Sequence, residues 1–160
     1  MDSFSCKNTS INGSNHLQYN WVVNHMRISI NTDIARPIEH IWEVYVTPKH
    51  IDGWNHASED WETVGSTSDF RVGGFFKYPM RAKDGSFGFD FEGEFLQIEP
   101  YKYIKYRLLD DRVVEIKFTQ MHPTVHIELI FEGESENSVE LQRAGWQQIL
   151  ESFKHYCLAL

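Results

Sequence analysis

Cysteine is scarce: two in 160 residues, Cys6 and Cys157, near opposite ends of the chain. That spacing forms neither a metal knuckle nor a C-x-x-C redox pair, so reduced thiols in a cytosolic setting are the expectation. Long apolar runs are missing as well. No segment approaches the ~20 residues that span a bilayer, and no basic start with a hydrophobic stretch behind it opens the chain. A soluble, cytoplasmic protein with no membrane partner is expected, and the Asn-x-Ser sequons at Asn8 and Asn12 then carry no meaning. Basic charge is short too. Fifteen Lys and Arg face 23 Asp and Glu, a formal charge of −8, with no dense cationic run, which argues against a nucleic-acid partner.

Apolar residues make up 41% of the chain and aromatics 14%, enough for one sizeable core and too short a chain for two domains. Residues 1–25 are rich in Asn and Ser and hold no sustained period, which marks an extension outside the domain 26–160. Within it "QYNWVVNH" offers Tyr19, Trp21 and Val23 as a short docking strand.

From Met26 the pattern sharpens. "MRISINTDI" alternates like a half-buried strand. In "ARPIEHIWEVY" Pro37 takes a first helical position, and Ile38, Ile41, Trp42 and Tyr45 recur at helical spacing. Thr47-Pro48 stops that helix, and "PKHIDGW" reads as a second short one. After a loop through Trp54 and Trp61 come "DFRV", "FFKYPM", "FGFDFEGEFLQI", "YIKYRLL", "VVEIKFTQ" and "TVHIELIFEGE". Their short connectors are rich in Gly, Pro and Asp, so neighbouring strands are antiparallel. The chain closes on a long amphipathic helix, with Asn137 and Glu140 spaced as a capping box and Trp146, Ile149, Leu150, Phe153 and Tyr156 as its apolar stripe. The fold class is α+β: this helix against a curved antiparallel sheet of six or seven strands, with two short helices after the first.

Alternation decides the role of the carboxylates Asp90, Glu92 and Glu94. They point opposite to Phe87, Phe89, Phe91 and Phe95, toward the side that carries Lys77, Arg81, Lys105 and Arg107 on neighbouring strands. A solvated cross-strand lattice is therefore expected, with Asp90 the one residue that a bulge beside Gly88 could turn inward. His50 with His56, and His122 with His126, lack a third ligand at metal spacing. No G-x-S-x-G is present, and Cys157 is expected near the frayed end of the closing helix. Neither a metal nor a cofactor is expected.

With these elements placed, the chain resembles the SRPBCC superfamily, also called START or Bet v 1-like, and within it the branch related to the C-terminal domain of the activator of the 90-kDa heat-shock protein ATPase. The likeness runs from about residue 28 to 157 on "PIEHIWEVYVTPKHIDGWNHASEDW", "DFRVGGFFKYPMRAKDGSFGFDFEGEF", "IEPYKYIKYRLLDDR" and "SENSVELQRAGWQQILESFKHY". Many relatives have Trp-Trp-Gly-Pro where this chain reads Gly53-Trp54-Asn55-His56, and Phe75 stands where a basic residue is common. The resemblance implies a helix-grip fold whose sheet wraps the C-terminal helix around a cavity, with the Phe face inward.

That fold implies a pocket for a small, largely apolar molecule. Its aromatic wall would come from Trp42, Trp54, Trp61, Tyr78, Phe89 and Phe91, with Met80, Tyr106 and Trp146 completing it. Polar groups would come from Asn55, Ser58, Asp60 and Gln142. Plain core packing of the same aromatics is the competing reading, and both stay open on the sequence. An enzyme of the cyclase or isomerase sort, using Asp60, Asp90 or His56 as acid or base, is the alternative. A co-chaperone acting on a heat-shock ATPase ranks last, because 1–25 is too short to replace the additional domain of the eukaryotic activator. A homodimer through Trp21, Val22 and Val23 or through an edge strand stays open.

Overall fold

The computed structural model describes residues 26–160. The extension 1–25, its docking strand and a dimer contact through Trp21, Val22 and Val23 lie outside the described residues. Strand β1 (Arg27–Ile34) buries Ile28, Ile30, Thr32 and Ile34 and exposes the residues between them. Helices α1 (Ile38–Val46) and α2 (Pro48–Trp54) follow at once. Pro37 sits at the N-cap of α1, one place before the expected first turn. Thr47 is extended, at φ −85° and ψ 122°, the conformation a following proline imposes, and so the two helices break apart at that residue.

Strands β2 (Trp61–Thr63), β3 (Thr67–Ser68), β4 (Phe75–Ala82), β5 (Gly88–Glu99), β6 (Tyr103–Leu108), β7 (Val113–Gln120) and β8 (Val125–Glu132) precede α3 (Val139–Ala159). All pairings are antiparallel. The sheet runs β1-β8-β7-β6-β5-β4-β2, with β3 paired to β4 off that path. This curled sheet with α3 inside it and two short helices after the first strand is the α+β helix-grip that the sequence implied. No helix among the described residues is long and apolar enough to cross a membrane.

Three local expectations are corrected. "DFRV" is a bend, not a strand: Gly73 sits at φ +83°, and a Cβ on Gly74 would meet the Asp69 carbonyl oxygen at 1.9 Å, so the chain doubles back there. The strands on that side are β2 and β3. The cap of α3 is Ser138, whose Oγ accepts from the Leu141 N–H at 3.1 Å. Asn137 is drawn away from that role by Glu134, to which its amide donates at 2.8 Å. Finally, Cys157 is not in a frayed turn but fully buried. The end of α3 is held because Arg36 donates to the Leu158 carbonyl at 2.6 Å and the His40 ring contacts the Cys157 carbonyl at 3.2 Å, satisfying carbonyls a helix end leaves open.

Helix α3 packs on β1, α1 and α2. Trp146 stacks on Phe131 of β8 with ring centroids 4.1 Å apart and planes 6° from parallel, and Phe153 is closed in by Tyr45 and Trp54. The outer face carries the charge lattice: Lys77 lies 3.3 Å from Asp90, Arg107 3.0 Å from Glu94 and Lys117 4.0 Å from Glu128. Asp90 therefore points outward, and the bulge in β5 falls between Phe95 and Gln97 instead of beside Gly88. Arg81 pairs with Glu62 of β2, not with the row.

Two substitutions test this packing by urea denaturation. Phe153→Ala, which empties a fully buried site under α3, should cost about 3–5 kcal/mol. Gly93→Ala should cost roughly 1–3 kcal/mol, because its Cβ would approach the Arg107 carbonyl oxygen to 2.6 Å and the Phe76 ring to 2.8 Å.

Candidate functional site

Because α3 lies toward β1, it leaves a cleft against β4, β5 and β6. The result is a cavity of about 330 Å³. Its floor is Tyr78 and Met80 from β4, Phe91 and Phe95 from β5, and Ile104 and Tyr106 from β6. Trp146, Ile149, Leu150 and Phe153 of α3 form the roof. Tyr45 and Val46 of α1 with Trp54 and Asn55 close one end; Arg112, Glu134, Asn137 and Gln142 line the other. From Gln142 to Phe153 the helix advances about 16 Å at ~1.5 Å per residue, so the cavity is long and narrow.

Each polar end has its own chemistry. Gln142 accepts from the Glu134 N–H at 2.8 Å and donates to the carbonyls of Glu134 at 3.0 Å and Asn137 at 2.8 Å. Its amide thus ties the β8–α3 connection together. Burial works to raise the Glu134 carboxyl, but hydrogen bonds from Asn137 and Glu136 and the nearby Arg112 charge bring it below its ordinary value. Arg112 donates from Nε to Asp110 at 2.7 Å. At the opposite end Trp54 donates to the Val44 carbonyl at 2.9 Å, so its polar edge is used and its ring is an apolar wall. Asn55 is buried and donates to Thr63 at 3.3 Å; its Oδ1 has no partner among the described residues.

Three tyrosines lie along the cavity. Burial pushes the Tyr45, Tyr78 and Tyr106 phenols far above their ordinary range, with the Tyr45 phenol adding to the effect on both others. Burial also pushes the Cys157 thiol up to about 12, offset in part by Arg36.

Of the residues singled out in the sequence, Trp54, Asn55, Tyr78, Met80, Phe89, Phe91, Tyr106, Gln142 and Trp146 all border this space. Trp42 does not: it is buried behind α1 against Phe70, Phe118 and Tyr101. Ser58 and Asp60 stand exposed on the loop before β2. Trp61 packs beyond the cavity's rim on Phe87 and Phe89, each at 6.0 Å between ring centroids. The Phe face is inward only in part, since Phe87 is 64% exposed and Phe89 46% where the β4–β5 hairpin runs past the end of the helix's cover. His56 contacts Ser152 at 3.3 Å and His50 contacts the Tyr156 hydroxyl at 2.9 Å.

Sequence reasoning missed Tyr45, Arg112 and Glu134 as lining residues. Tyr45 had a signal, its place on the α1 stripe three residues from Trp42, but spacing does not say which of the two meets the cavity. Arg112 and Glu134 sit in a turn and a loop, where no period exists to place them.

The family model of the Activator of Hsp90 ATPase homolog 1-like protein matches residues 35–157. An AHSA1-like protein from Aeromonas hydrophila is 40% identical, with 84% of this chain and 93% of that one covered and a TM-score of 0.80. A protein from Cytophaga hutchinsonii is 39% identical over 81% of this chain and 90% of its own, with a TM-score of 0.73. One from Chromobacterium violaceum, at 22% identity, shares the fold with a TM-score of 0.72, over 81% of this chain and 96% of its own. No curated protein matches the chain.

The buried phenols and thiol give a pH dependence of defined sign. The folded chain holds protons that the unfolded chain releases from about pH 9 upward, so their contribution is complete below that pH and is lost as pH rises. Ultraviolet absorbance of phenolate should show Tyr45, Tyr78 and Tyr106 silent in the native protein at about pH 11 and ionising only as the fold opens. Titration of all seven tyrosines as one group before unfolding would contradict this.

Proposed function

The chain belongs to the family of Activator of Hsp90 ATPase homolog 1-like proteins, and on that premise we propose that it binds a small, largely apolar molecule between α3 and the sheet. One observation carries the reading. A volume of about 330 Å³, walled by aromatic rings and bordered by a few polar groups at its ends, stays open in a chain that had aromatics enough to fill it. That volume is at the small end of the ~300–1,000 Å³ of ligand pockets. A molecule of a few hundred daltons is the fitting occupant.

Acid–base catalysis by the residues first considered has less support. Asp60 is on an exposed loop, Asp90 faces solvent beside Lys77, and His56 is turned to Ser152. None of the three borders the cavity. A cytosolic protein acting through its interior, rather than through contact with a heat-shock ATPase, is the reading we adopt.

Native mass spectrometry of the full chain tests it, together with titration by the neutral fluorescent probe N-phenyl-1-naphthylamine. The wild type should carry a releasable mass or take up the probe. Trp146→Ala should weaken uptake about tenfold or more, since it removes a wall ring. That change also breaks the stack on Phe131, so Ile149→Trp is the control: it fills the cavity from the roof and should abolish uptake while the protein stays folded. Undiminished uptake by folded Ile149→Trp protein would overturn the proposal.

A further inference from the structure

We propose that the cavity selects apolar ligands that carry an uncharged acceptor oxygen, an aryl ketone being the simplest, and that the hydroxyls of Tyr45, Tyr78 and Tyr106 donate hydrogen bonds to it. The proposal rests on the binding reading above and goes further by naming the ligand's chemistry.

Three observations support it. All three tyrosines border the cavity, and none of their hydroxyls has a hydrogen-bond partner among the described residues. Nor are these hydroxyls sealed in the core: the buried, unpaired side-chain polar atoms among the described residues are the hydroxyls of Ser66 and Ser68. Buried polar groups are rarely left without a partner, so these hydroxyls are satisfied by whatever occupies the cavity, water or ligand.

The tyrosines also reach the space from different elements. Tyr78 and Tyr106 flank Phe76, each with its ring centroid 4.9 Å away, and both lie 6.2 Å from Phe91. Tyr45 comes from the helical side, stacked on Trp54 at 5.2 Å. The Asn55 amide, with its free Oδ1, borders the same end.

Phenol chemistry then sets the class. Conjugation of the oxygen lone pair into the ring makes a phenol a better donor than acceptor, so a ligand acceptor is the complement. Burial holds these phenols in the protonated, donating form. A charged acceptor is disfavoured. The cationic side chain on the cavity, Arg112, is already 2.7 Å from the Asp110 carboxylate and near Glu134, and the remaining lining residues are apolar or uncharged. A hydrocarbon is disfavoured for the opposite reason, since it would displace water from three hydroxyls without replacing its hydrogen bonds.

The test compares 2-acetylnaphthalene with 2-ethylnaphthalene, which match in shape and differ in the oxygen, by calorimetric titration into the full chain. The ketone should bind roughly tenfold tighter or more. Tyr78→Phe and Tyr106→Phe, each deleting one oxygen atom, should lower ketone affinity several-fold and raise that of the hydrocarbon, which then displaces water from one hydroxyl fewer. The carbonyl stretch of the bound ketone should move to lower frequency in the wild type and return toward its value in alkane solvent in the variant with all three tyrosines changed to Phe. Equal binding of the two probes, or a ketone preference that survives in the triple variant, would overturn the donor assignment and leave the apolar cavity standing. Binding of neither would overturn both.

Discussion

A single helix is too narrow for the sheet it has to cover. Seven paired strands about 4.8 Å apart make a surface roughly 30 Å across, while a helix with its side chains is about 10–12 Å wide. Helix α3 resolves this by committing to one side, on β1 and β8, where Trp146 lies flat on Phe131 and Phe153 is enclosed by Tyr45 and Trp54. Curvature and the short helices bring the other half of the sheet round, but they do not close it. The cavity is what remains between β4–β6 and the far flank of the helix.

The same asymmetry orders the electrostatics. On the convex side, water screens Lys77, Asp90, Arg107 and Glu94, so these pairs contribute little each and mainly keep a long exposed surface from pairing with itself. On the concave side a charge is expensive. The cavity accordingly uses neutral polar groups, tyrosine hydroxyls and the Asn55 amide, along its length, and its charged lining residues, Arg112 and Glu134, stand only at the end by the β8–α3 connection, where Asp110 pairs with the first and the Asn137 amide donates to the second. An interior that keeps hydroxyls without protein partners gives up some stability, a pattern common where a fold carries a site.

Much of the fold was legible from periodicity. The alternation in "RISINTDI" and "VHIELIFE" tracks their more and less buried faces, with Thr32 the polar residue on the buried side and Ile130 the apolar one on the half-buried outer side, because a strand with one face on a core has no other register. The acidic row was placed outside by the same rule. Where backbone hydrogen bonds decided instead of side-chain pattern, the reading slipped: "DFRV" alternates acceptably but is bent by its own carbonyls and Gly73, and Asn137 looks like a cap until Glu134 claims its amide. The site was legible as a composition of aromatics, not as a shape. Trp42 and Tyr45 share one helix face, and only packing puts the first behind α1 and the second beside the cavity.

By itself the sequence determined the order and type of the large elements, the division of each strand into a wet and a dry face, and the family resemblance, since all of these follow from local period and from residues close in the chain. Tertiary structure alone decided that a cavity exists, that Phe87 extends past its rim while Phe89 borders it half exposed, and that Tyr45, Tyr78 and Tyr106 border one space. Those outcomes depend on how far α3 sits from β5, a distance set by the summed fit of rings from six separate elements, α1, α2, β4, β5, β6 and α3. No single stretch of sequence encodes such a sum.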